Sequence, residues 1–247
     1  MEKARLEKII AGEGTYSRRE VRLLVRQGRV LVDGVPARSP EDKVVPEAVE
    51  IMVDGTVLHC RRYTWIMLHK PAGVLSATED GRGATVLDLL PPELRRRGLF
   101  PVGRLDKDTE GLLLLTDDGP LGHALLSPKN HVDKVYYAKV EGRLDRTDAE
   151  ALAAGMVLGD GLHCLPAELE PLGDGSQCHV TLREGKYHQV KRMLAARGKP
   201  VVYLKRLSMG PIALDPALAP GEWRPLTGEE KALLRRGTAG DPGFSAF

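Results

Sequence analysis

The segment GRLDKDTEGLLLLTDDG, residues 103–119, joins an acidic loop to a run of four leucines. A short, continuous apolar run of this kind is typical of a strand that is buried on both faces. Proline and glycine occur on both sides, at 101–103 and 119–120, and favour turns there. The segment therefore predicts an acid-rich loop that leads into a strand of a core sheet.

Calcium binding is one chemistry that the acidic loop could carry. Asp106, Asp108, Glu110, Gly111 and Asp117 fall at the first, third, fifth, sixth and twelfth positions of an EF-hand loop. The flanking turn residues do not suit the two helices of an EF-hand, and the last ligand is normally a glutamate. We therefore do not expect calcium.

Glycoside hydrolysis is a second possibility, because Asp106 and Asp108 are close in sequence and such enzymes use two carboxylates. Sugar clefts are usually lined with aromatic side chains, and aromatic residues make up only 4% of this chain. A glycosidase is therefore not favoured.

The composition is that of a globular protein with one large domain, or one large and one small domain, in 247 residues. Hydrophobic residues make up 42%, charged residues 28%, and the formal net charge is +2. The longest aliphatic run, Leu112 to Leu115, is far shorter than the roughly 20 residues of a membrane helix. The first residues do not resemble a secretory signal. We expect a cytoplasmic protein with no membrane partner.

The three cysteines, Cys60, Cys164 and Cys178, are odd in number and widely spaced, which favours reduced thiols. Each is next to a histidine, but neighbouring residues of a strand point to opposite faces. We therefore expect no zinc site.

A basic helix is predicted near the start of the chain, where the net charge over residues 1–38 is positive. Ser17 and Glu20 have the spacing of a capping box, and Gly28 is placed to end the helix. One face of this helix carries arginines, and the other carries apolar residues: Arg18, Arg19, Arg22 and Arg26 against Val21, Leu24 and Val25. The dipeptide Asp33-Gly34 then predicts a β-hairpin. The arginine face is either a solvated surface or a contact for phosphates.

A second basic concentration lies between Arg183 and Arg206, where eight basic residues face the single acid Glu184. Such a region favours binding of RNA phosphates. Within it, Val190, Met193 and Leu194 have the spacing of a buried helical stripe, so that Lys191 and Arg192 project from other faces.

Several segments resemble motifs of RNA pseudouridine synthases of the RsuA type. The resemblance rests on GRLDKDTEGLLLLTDDG together with four further segments in the same order: HKPAGVLSAT, LSPKNHVDKVYYAKVEG, EGKYHQVKRMLAARG and RLSMGPIALDPALAPGEWRPLTGEE. The N-terminal SRREVRLLVRQGRVLVDGVPA is similar to the alpha-L RNA-binding module of a small-subunit ribosomal protein and of tyrosyl-tRNA synthetases.

The resemblance implies an α+β protein with two parts. The expected boundaries are an alpha-L module over residues 1–54, a linker over 55–64 and a synthase domain over 65–238 with a mixed, mainly antiparallel sheet flanked by helices. Residues 239–247 are expected to form a mobile tail.

The resemblance also implies roles for individual residues. Asp106 is the expected catalytic carboxylate, with Lys191 as its basic partner and Arg192 as the alternative. Tyr136 is expected to stack on the target base, whereas Tyr137 points to the opposite face of the strand. Arg104 is expected to fill the gap left by the everted nucleotide. Arg18, Arg19, Arg22, Arg26 and Arg192 are expected to contact RNA.

The implied reaction converts a uridine of small-subunit (16S) ribosomal RNA, at position 516, to pseudouridine. Because isomerisation neither gains nor loses an atom, the reaction needs no redox cofactor and no group donor, and we expect no cofactor. The ligand spacings considered above give no reason to expect a metal. The substrate is expected to be RNA in a small-subunit assembly intermediate, and the enzyme a monomer. Two alternatives stay open at this point: a synthase for large-subunit (23S) RNA, and a non-catalytic RNA-binding assembly factor.

Overall fold

The structure, a computed structural model, describes residues 3–13, 15–46, 48–58, 63–81 and 83–237. The chain divides into two compact units. The first comprises Met1–Thr64 and Leu90–Leu99, and the second comprises Trp65–Leu89 and Phe100–Phe247. The tail expected to be mobile, residues 239–247, lies outside the described residues.

The first unit is built from short elements. In chain order these are β1 (Ala4–Arg5), α1 (Leu6–Gly12), α2 (Arg18–Arg26), β2 (Val30–Val32), β3 (Val35–Pro36), β4 (Lys43–Val44), β5 (Ile51–Val53) and β6 (Thr56–Leu58). Strands β1 and β4 form one pair, and the other four form an antiparallel sheet in the order β3-β2-β5-β6. Strand β6 lies in the segment expected to be a linker, so pairing in the first sheet continues past residue 54.

The capping box predicted for α2 is confirmed. Ser17 Oγ accepts a hydrogen bond from the backbone nitrogen of Glu20, and the Glu20 carboxylate accepts one from the backbone nitrogen of Ser17. The predicted apolar face is also confirmed, because Val21, Leu24 and Val25 are buried in the core with α1 and with β2 and β5. Strands β2 and β3 pair across the predicted two-residue turn, in which Asp33 and Gly34 both have positive φ.

The segment 90–99 also belongs to the first unit, which the sequence did not indicate. It contains α3 (Pro92–Arg95). Arg97 Nη2 lies 2.6 Å from the Glu13 carboxylate, and Arg97 also donates to the Thr64 hydroxyl.

The second unit is organised around a mixed sheet. Its elements are β7 (Trp65–Lys70), β8 (Phe100–Val102), β9 (Glu110–Thr116), α4 (Gly119–Leu126), a 3₁₀ turn (Pro128–Asn130), β10 (Lys134–Val140), α5 (Arg146–Ala153), β11 (Met156–Val157), β12 (His163–Cys164), β13 (Glu168–Leu172), β14 (Gln177–Leu182), α6 (Gln189–Ala196), β15 (Val201–Met209), β16 (Ile212–Ala213), β17 (Trp223–Pro225) and α7 (Gly228–Gly237).

The strand order of this sheet is β13-β14-β10-β15-β9-β7-β17, with β16 beside β15 and β8 beside β9. Strands β9 and β15 are parallel, and the other pairings are antiparallel. Helices α5 and α6 pack against β13 and β15. The predicted α+β fold with a mixed, mainly antiparallel sheet is confirmed.

The leucine run forms the predicted buried strand. Leu112, Leu113, Leu114 and Leu115 of β9 are all fully buried, since β9 has neighbours on both sides and its faces are covered. The acidic loop is therefore connected directly to a central strand of the sheet, and this strand fixes the position of the loop.

None of the helices in the described ranges is both long enough and apolar enough to span a bilayer. The thiols of Cys164 and Cys178 are free and buried. Cys60 lies outside the described residues.

Candidate active site

The loop between β8 and β9 carries Asp106, and a buried cation binds its backbone. The ammonium group of Lys70, at the end of β7, donates to the carbonyl oxygens of Pro71, Lys107 and Thr109 at 2.9, 3.2 and 2.8 Å. Three acceptors match the three N–H groups of a charged lysine, so the contacts favour the ammonium form.

Burial nevertheless lowers the pKa of Lys70 to about 8, although the negative charges of Asp108, Asp106 and Glu110 act in the opposite direction. On the other side of Asp106, the Ser76 hydroxyl donates to the carbonyl of Leu105 at 2.9 Å and accepts from the nitrogen of Leu105 at 3.1 Å. The backbone is thus fixed before and after the aspartate.

Lys191 of α6 is the basic neighbour of Asp106. Its Nζ lies 3.1 Å from Asp106 Oδ2 and 2.6 Å from Asp108 Oδ1, so one cation is shared by two carboxylates. Burial disfavours the charge on Lys191, but the bonds to Asp108 and Asp106 outweigh it and raise the pKa of Lys191 above its usual value. The same hydrogen bond lowers the pKa of Asp108.

Arg192, the alternative partner, instead pairs with Asp160 at 2.5 Å. The buried stripe predicted for α6 is confirmed, because Val190, Met193 and Leu194 are buried. Between the two candidates, the helix brings Lys191 to Asp106.

A cavity that is open to solvent lies beside the aspartate. Asp106, Arg104, Tyr136 and His188 all contribute to its wall. Tyr136 is 8% exposed and lies on β10. Tyr137 has the opposite orientation and donates its hydroxyl to Gln177 at 2.6 Å, so the alternation predicted for the two tyrosines is confirmed.

His188 is a residue of this site that the sequence reasoning missed. It precedes α6 in a left-handed conformation, with φ 50° and ψ 33°, and its Nε2 lies 3.5 Å from Asp106 Oδ1. His188 lies in the segment EGKYHQVKR, but neither the hydrophobic pattern nor the residue spacing of this segment distinguishes it from a surface histidine. Its contact depends on the left-handed turn.

The segment before α6 is held by Glu184, the single acid of the second basic concentration. The Glu184 carboxylate accepts from Gln189 Nε2 at 2.6 Å and from the nitrogen of Leu165 at 2.8 Å, and it pairs with Lys186 at 2.9 Å. Burial would raise the pKa of Glu184, but these partners keep it below its usual value.

The second basic concentration is less available to RNA than its composition predicts. Most of its cations are already compensated inside the fold: Arg183 by Asp133, Lys186 by Glu184, Lys191 by Asp106 and Asp108, Arg192 by Asp160, and Arg197 by Asp148. Arg206 is 2% exposed and donates to the carbonyl of Leu112. The ratio of eight to one therefore overstates the free positive charge.

The structure does not support an EF-hand. The acidic loop lies between the strands β8 and β9 instead of two helices, and Lys191 holds both aspartates. In the described part of the chain, no group of three histidine, cysteine or acidic side chains is arranged to hold a metal ion.

Comparison with known proteins gives the same assignment as the motifs. The model of the RNA pseudouridylate synthase family matches residues 64–196, which include the acidic loop, Tyr136 and α6. The chain belongs to this family. A second model, that of the S4 domain, matches residues 5–49, where the alpha-L module was predicted. This RNA pseudouridine synthase is accordingly an isomerase.

Relatives of this pseudouridine synthase align over almost the whole chain. An uncharacterized RNA pseudouridine synthase of Bacillus subtilis, YtzG, is 50% identical over 93% of this chain and 98% of its own length. The ribosomal small subunit pseudouridine synthase A of Pseudomonas aeruginosa is 44% identical, over 92% and 98%. The protein of the same name from Escherichia coli is 42% identical, over 93% and 99%.

A solved structure, described as the crystal structure of pseudouridylate synthase, is similar to this synthase in fold. It has a TM-score of 0.66 and 36% identity, and the match covers 94% of this chain and 99% of the other.

The S4 domain of this synthase exposes the four arginines predicted to bind RNA. Arg22 differs from the others, because its Nε lies 2.6 Å from the carboxylate of Glu7, whose side chain is only 5% exposed. This ion pair joins α2 to α1. Arg22 therefore stabilises the domain, whereas Arg18, Arg19 and Arg26 project from it.

Proposed function

We propose that this enzyme converts one uridine of small-subunit (16S) ribosomal RNA to pseudouridine in the cytoplasm. The support is the alignment over more than nine-tenths of the chain with two proteins named ribosomal small subunit pseudouridine synthase A. The expected position is uridine 516. An S4 domain at the N-terminus is in keeping with a structured RNA as substrate.

The reaction requires that the bond between N1 of uracil and C1′ of ribose breaks, that the base rotates, and that C5 bonds to C1′. The proton on C5 is lost and N1 gains one, so the atoms balance without a co-reactant. We propose that Asp106 is the catalytic carboxylate. The observation that carries this proposal is its position in the cavity wall, 3.1 Å from the Lys191 ammonium.

An ionised aspartate can attack the sugar, attack the uracil ring or remove a sugar proton. All three routes use the carboxylate as an anion, and the Lys191 ammonium group places the opposite charge 3.1 Å from it. Lys191 has this role in the proposal, and the fixed backbone of Leu105 and Thr109 keeps the carboxylate aimed at the cavity.

Two further side chains of the cavity wall contribute to the proposed site. Tyr136 is largely buried there and offers an aromatic surface to the target uracil. Arg104 is exposed and has no ion-pair or hydrogen-bond partner among the residues that the structure describes. It is therefore free to contact RNA around the everted nucleotide, where lost stacking must be offset.

RNA contacts by Arg18, Arg19 and Arg26 of the S4 domain complete the proposal. Arg192 is assigned a lesser contact, since Asp160 already neutralises it. We propose that the enzyme acts as a monomer on an assembling small subunit.

The catalytic assignment is tested with Asp106→Asn, with Asp108→Asn as the matched control. Asn cannot carry the negative charge, so we expect no detectable pseudouridine from Asp106→Asn. Asp108→Asn should keep most of the activity, because Asp108 is 74% exposed and does not line the cavity, an amide oxygen can still accept from Lys191, and Lys191 retains its contact with Asp106. Pseudouridine is measured in 16S RNA and in assembling subunits. Unimpaired activity of Asp106→Asn would refute the assignment.

The substrate assignment requires a separate measurement. Pseudouridines are mapped in 16S and 23S RNA of a strain that lacks this gene and of the complemented strain. We expect the loss of one site in 16S RNA. Loss of a 23S site alone would leave Asp106 as catalytic residue but overturn the choice of subunit.

A further inference from the structure

Two aromatic rings stack on each other at the Asp106 cavity, and one of them contributes to the cavity wall. The rings of Tyr187 and His188 are stacked, with centroids 3.8 Å apart and planes 16° from parallel. His188 contributes to the cavity wall, whereas Tyr187 does not and is 72% exposed. The stack therefore reaches from the cavity wall into the solvent.

The histidine of this stack is fixed with respect to the catalytic carboxylate. Its left-handed backbone conformation is uncommon for residues other than glycine and persists only where the surrounding structure enforces it. The carbonyl oxygen of His188 accepts a hydrogen bond from the backbone nitrogen of Arg192 at 2.9 Å, and His188 Nε2 lies 3.5 Å from Asp106 Oδ1. Because His188 is held at both ends, the ring that stacks on it has a defined place beside the cavity.

The charges near the stack suit a nucleic acid. Arg104 lies in the wall of the same cavity as His188 and has no partner in the described ranges, so its charge is available to a phosphate. Unpaired RNA bases are commonly bound by such combinations of stacked aromatic rings and free cations.

The target uracil is not the base that we expect to stack on the Tyr187 ring. Tyr136, which is only 8% exposed, already provides an aromatic surface inside the cavity. A base that stacks on Tyr187 would lie outside the cavity, beyond the His188 ring that contributes to its wall. Everting one nucleotide also unstacks its neighbour, which then needs a new stacking partner.

We propose that the Tyr187–His188 stack is a subsite for an unpaired base adjacent in sequence to the target uridine. This inference rests on the proposed function, because it requires an RNA substrate whose target nucleotide enters the Asp106 cavity. Tyr187 supplies the exposed face, and His188 holds that face in place.

The first test compares Tyr187→Leu with Tyr187→Phe, and uses Val157→Ala as a surface control, since Val157 is also exposed. Loss of one stacked base should weaken binding of 16S RNA by Tyr187→Leu roughly 5- to 150-fold. Tyr187→Phe keeps an aromatic face and should bind as the wild type does, as should Val157→Ala.

The second test uses ligated 16S RNA with an abasic nucleotide on either side of the target uridine. At one of these two positions, the abasic RNA should bind to the wild type more weakly than intact RNA does, by the same factor by which Tyr187→Leu weakens binding of intact RNA. The same abasic RNA should bind to Tyr187→Leu no more weakly than intact RNA does. The proposed subsite is wrong if the effects of Tyr187→Leu and of the abasic nucleotide on binding multiply at both positions. It is also wrong if Tyr187→Leu binds intact RNA as tightly as the wild type does. If the wild type forms no pseudouridine in 16S RNA, the proposed function fails instead.

Discussion

The sharing of Lys191 between two carboxylates is the residue-level feature on which the proposed chemistry depends most. Asp108 takes the shorter contact, at 2.6 Å, and is mostly exposed, while Asp106 takes the longer one, at 3.1 Å, and is 24% exposed. The exposed carboxylate thus helps to keep the lysine charged and in place. The less exposed carboxylate remains available to a substrate.

Removal of this cation should lower activity without unfolding the protein. We expect kcat of Lys191→Met to fall by roughly 100-fold, the usual scale for the loss of one electrostatic partner at a reacting group. Arg192→Met is the matched control on the same helix and should retain activity, because Arg192 pairs with Asp160. Single-turnover pseudouridine formation measures both. Equal losses in the two variants would contradict the assignment of Lys191.

The acid titration of Asp108 gives an independent measurement of the same ion pair. Lys191 lowers the pKa of Asp108 in the native state, so the pair contributes stability above the ordinary pKa of 3.8 and loses it as pH falls through the lowered value. In Lys191→Met we expect the pKa of Asp108 to return towards 3.8, as followed by NMR of the carboxyl carbon. An unchanged titration would show that another group causes the shift.

The sequence predicted the residues of the site that belong to contiguous motifs, and missed those that depend on the turn before α6. Asp106 and Tyr136 lie in long motifs, and alternation along β10 separated Tyr136 from Tyr137. His188 reaches Asp106 only because its backbone is left-handed. The compensation of the second basic concentration was likewise invisible, since partners such as Asp133 and Asp148 are distant in sequence.

At the level of elements, the parallel contact between β9 and β15 fixes the position of the acidic loop next to the sheet. Gly111 of β9 lies opposite Arg206 of β15 and has φ +106°. A Cβ at this position would lie 2.2 Å from the carbonyl oxygen of Arg206 and 2.6 Å from its nitrogen. Only glycine permits this approach of the two backbones.

Gly111→Ala should therefore destabilise the protein by about 3 kcal/mol or more, from the steric overlap and the unfavourable φ together. Gly119→Ala is the control, because a Cβ added at Gly119 would have no atom within 4 Å and the φ of this residue is ordinary. Its free energy of unfolding should change by less than about 1 kcal/mol. Urea denaturation measures both variants. Similar stabilities would contradict the close approach.

Elements with strong local signals were predicted well, and short ones were not. The capping box of α2 and the leucine run of β9 each carry their signal within a few residues. Strand β6 has three residues, too few for alternation to show, and lay in the expected linker. The inclusion of Leu90–Leu99 in the first unit depends on tertiary contacts. The boundaries at residues 54 and 65 stay predictions.

At the level of the whole molecule, the distribution of free charge differs from the distribution of basic residues. The formal net charge is only +2, and the basic residues around α6 are largely compensated by acids of the same unit. The arginines of α2 are exposed, and among the residues that the structure describes an acidic partner is seen for Arg22, which pairs with Glu7. We infer that the S4 domain supplies much of the long-range attraction for RNA.

This inference gives a prediction for the salt dependence of RNA binding. Each phosphate contact contributes about 0.7 to 0.9 to the slope of log K against log salt concentration. The triple variant Arg18→Ala, Arg19→Ala, Arg26→Ala should therefore reduce the slope by roughly 2 to 3, and weaken binding most at low salt. The matched control removes the same charge from three exposed cations of the second unit, as Lys129→Ala, Arg143→Ala, Arg236→Ala. The slope for this control should change little. Equal slopes for the two triple variants would locate the RNA contacts elsewhere.

Arg22→Ala should act differently from the triple variant. It leaves the buried carboxylate of Glu7 without its partner, so its main effect should be a lower thermal stability of the S4 domain.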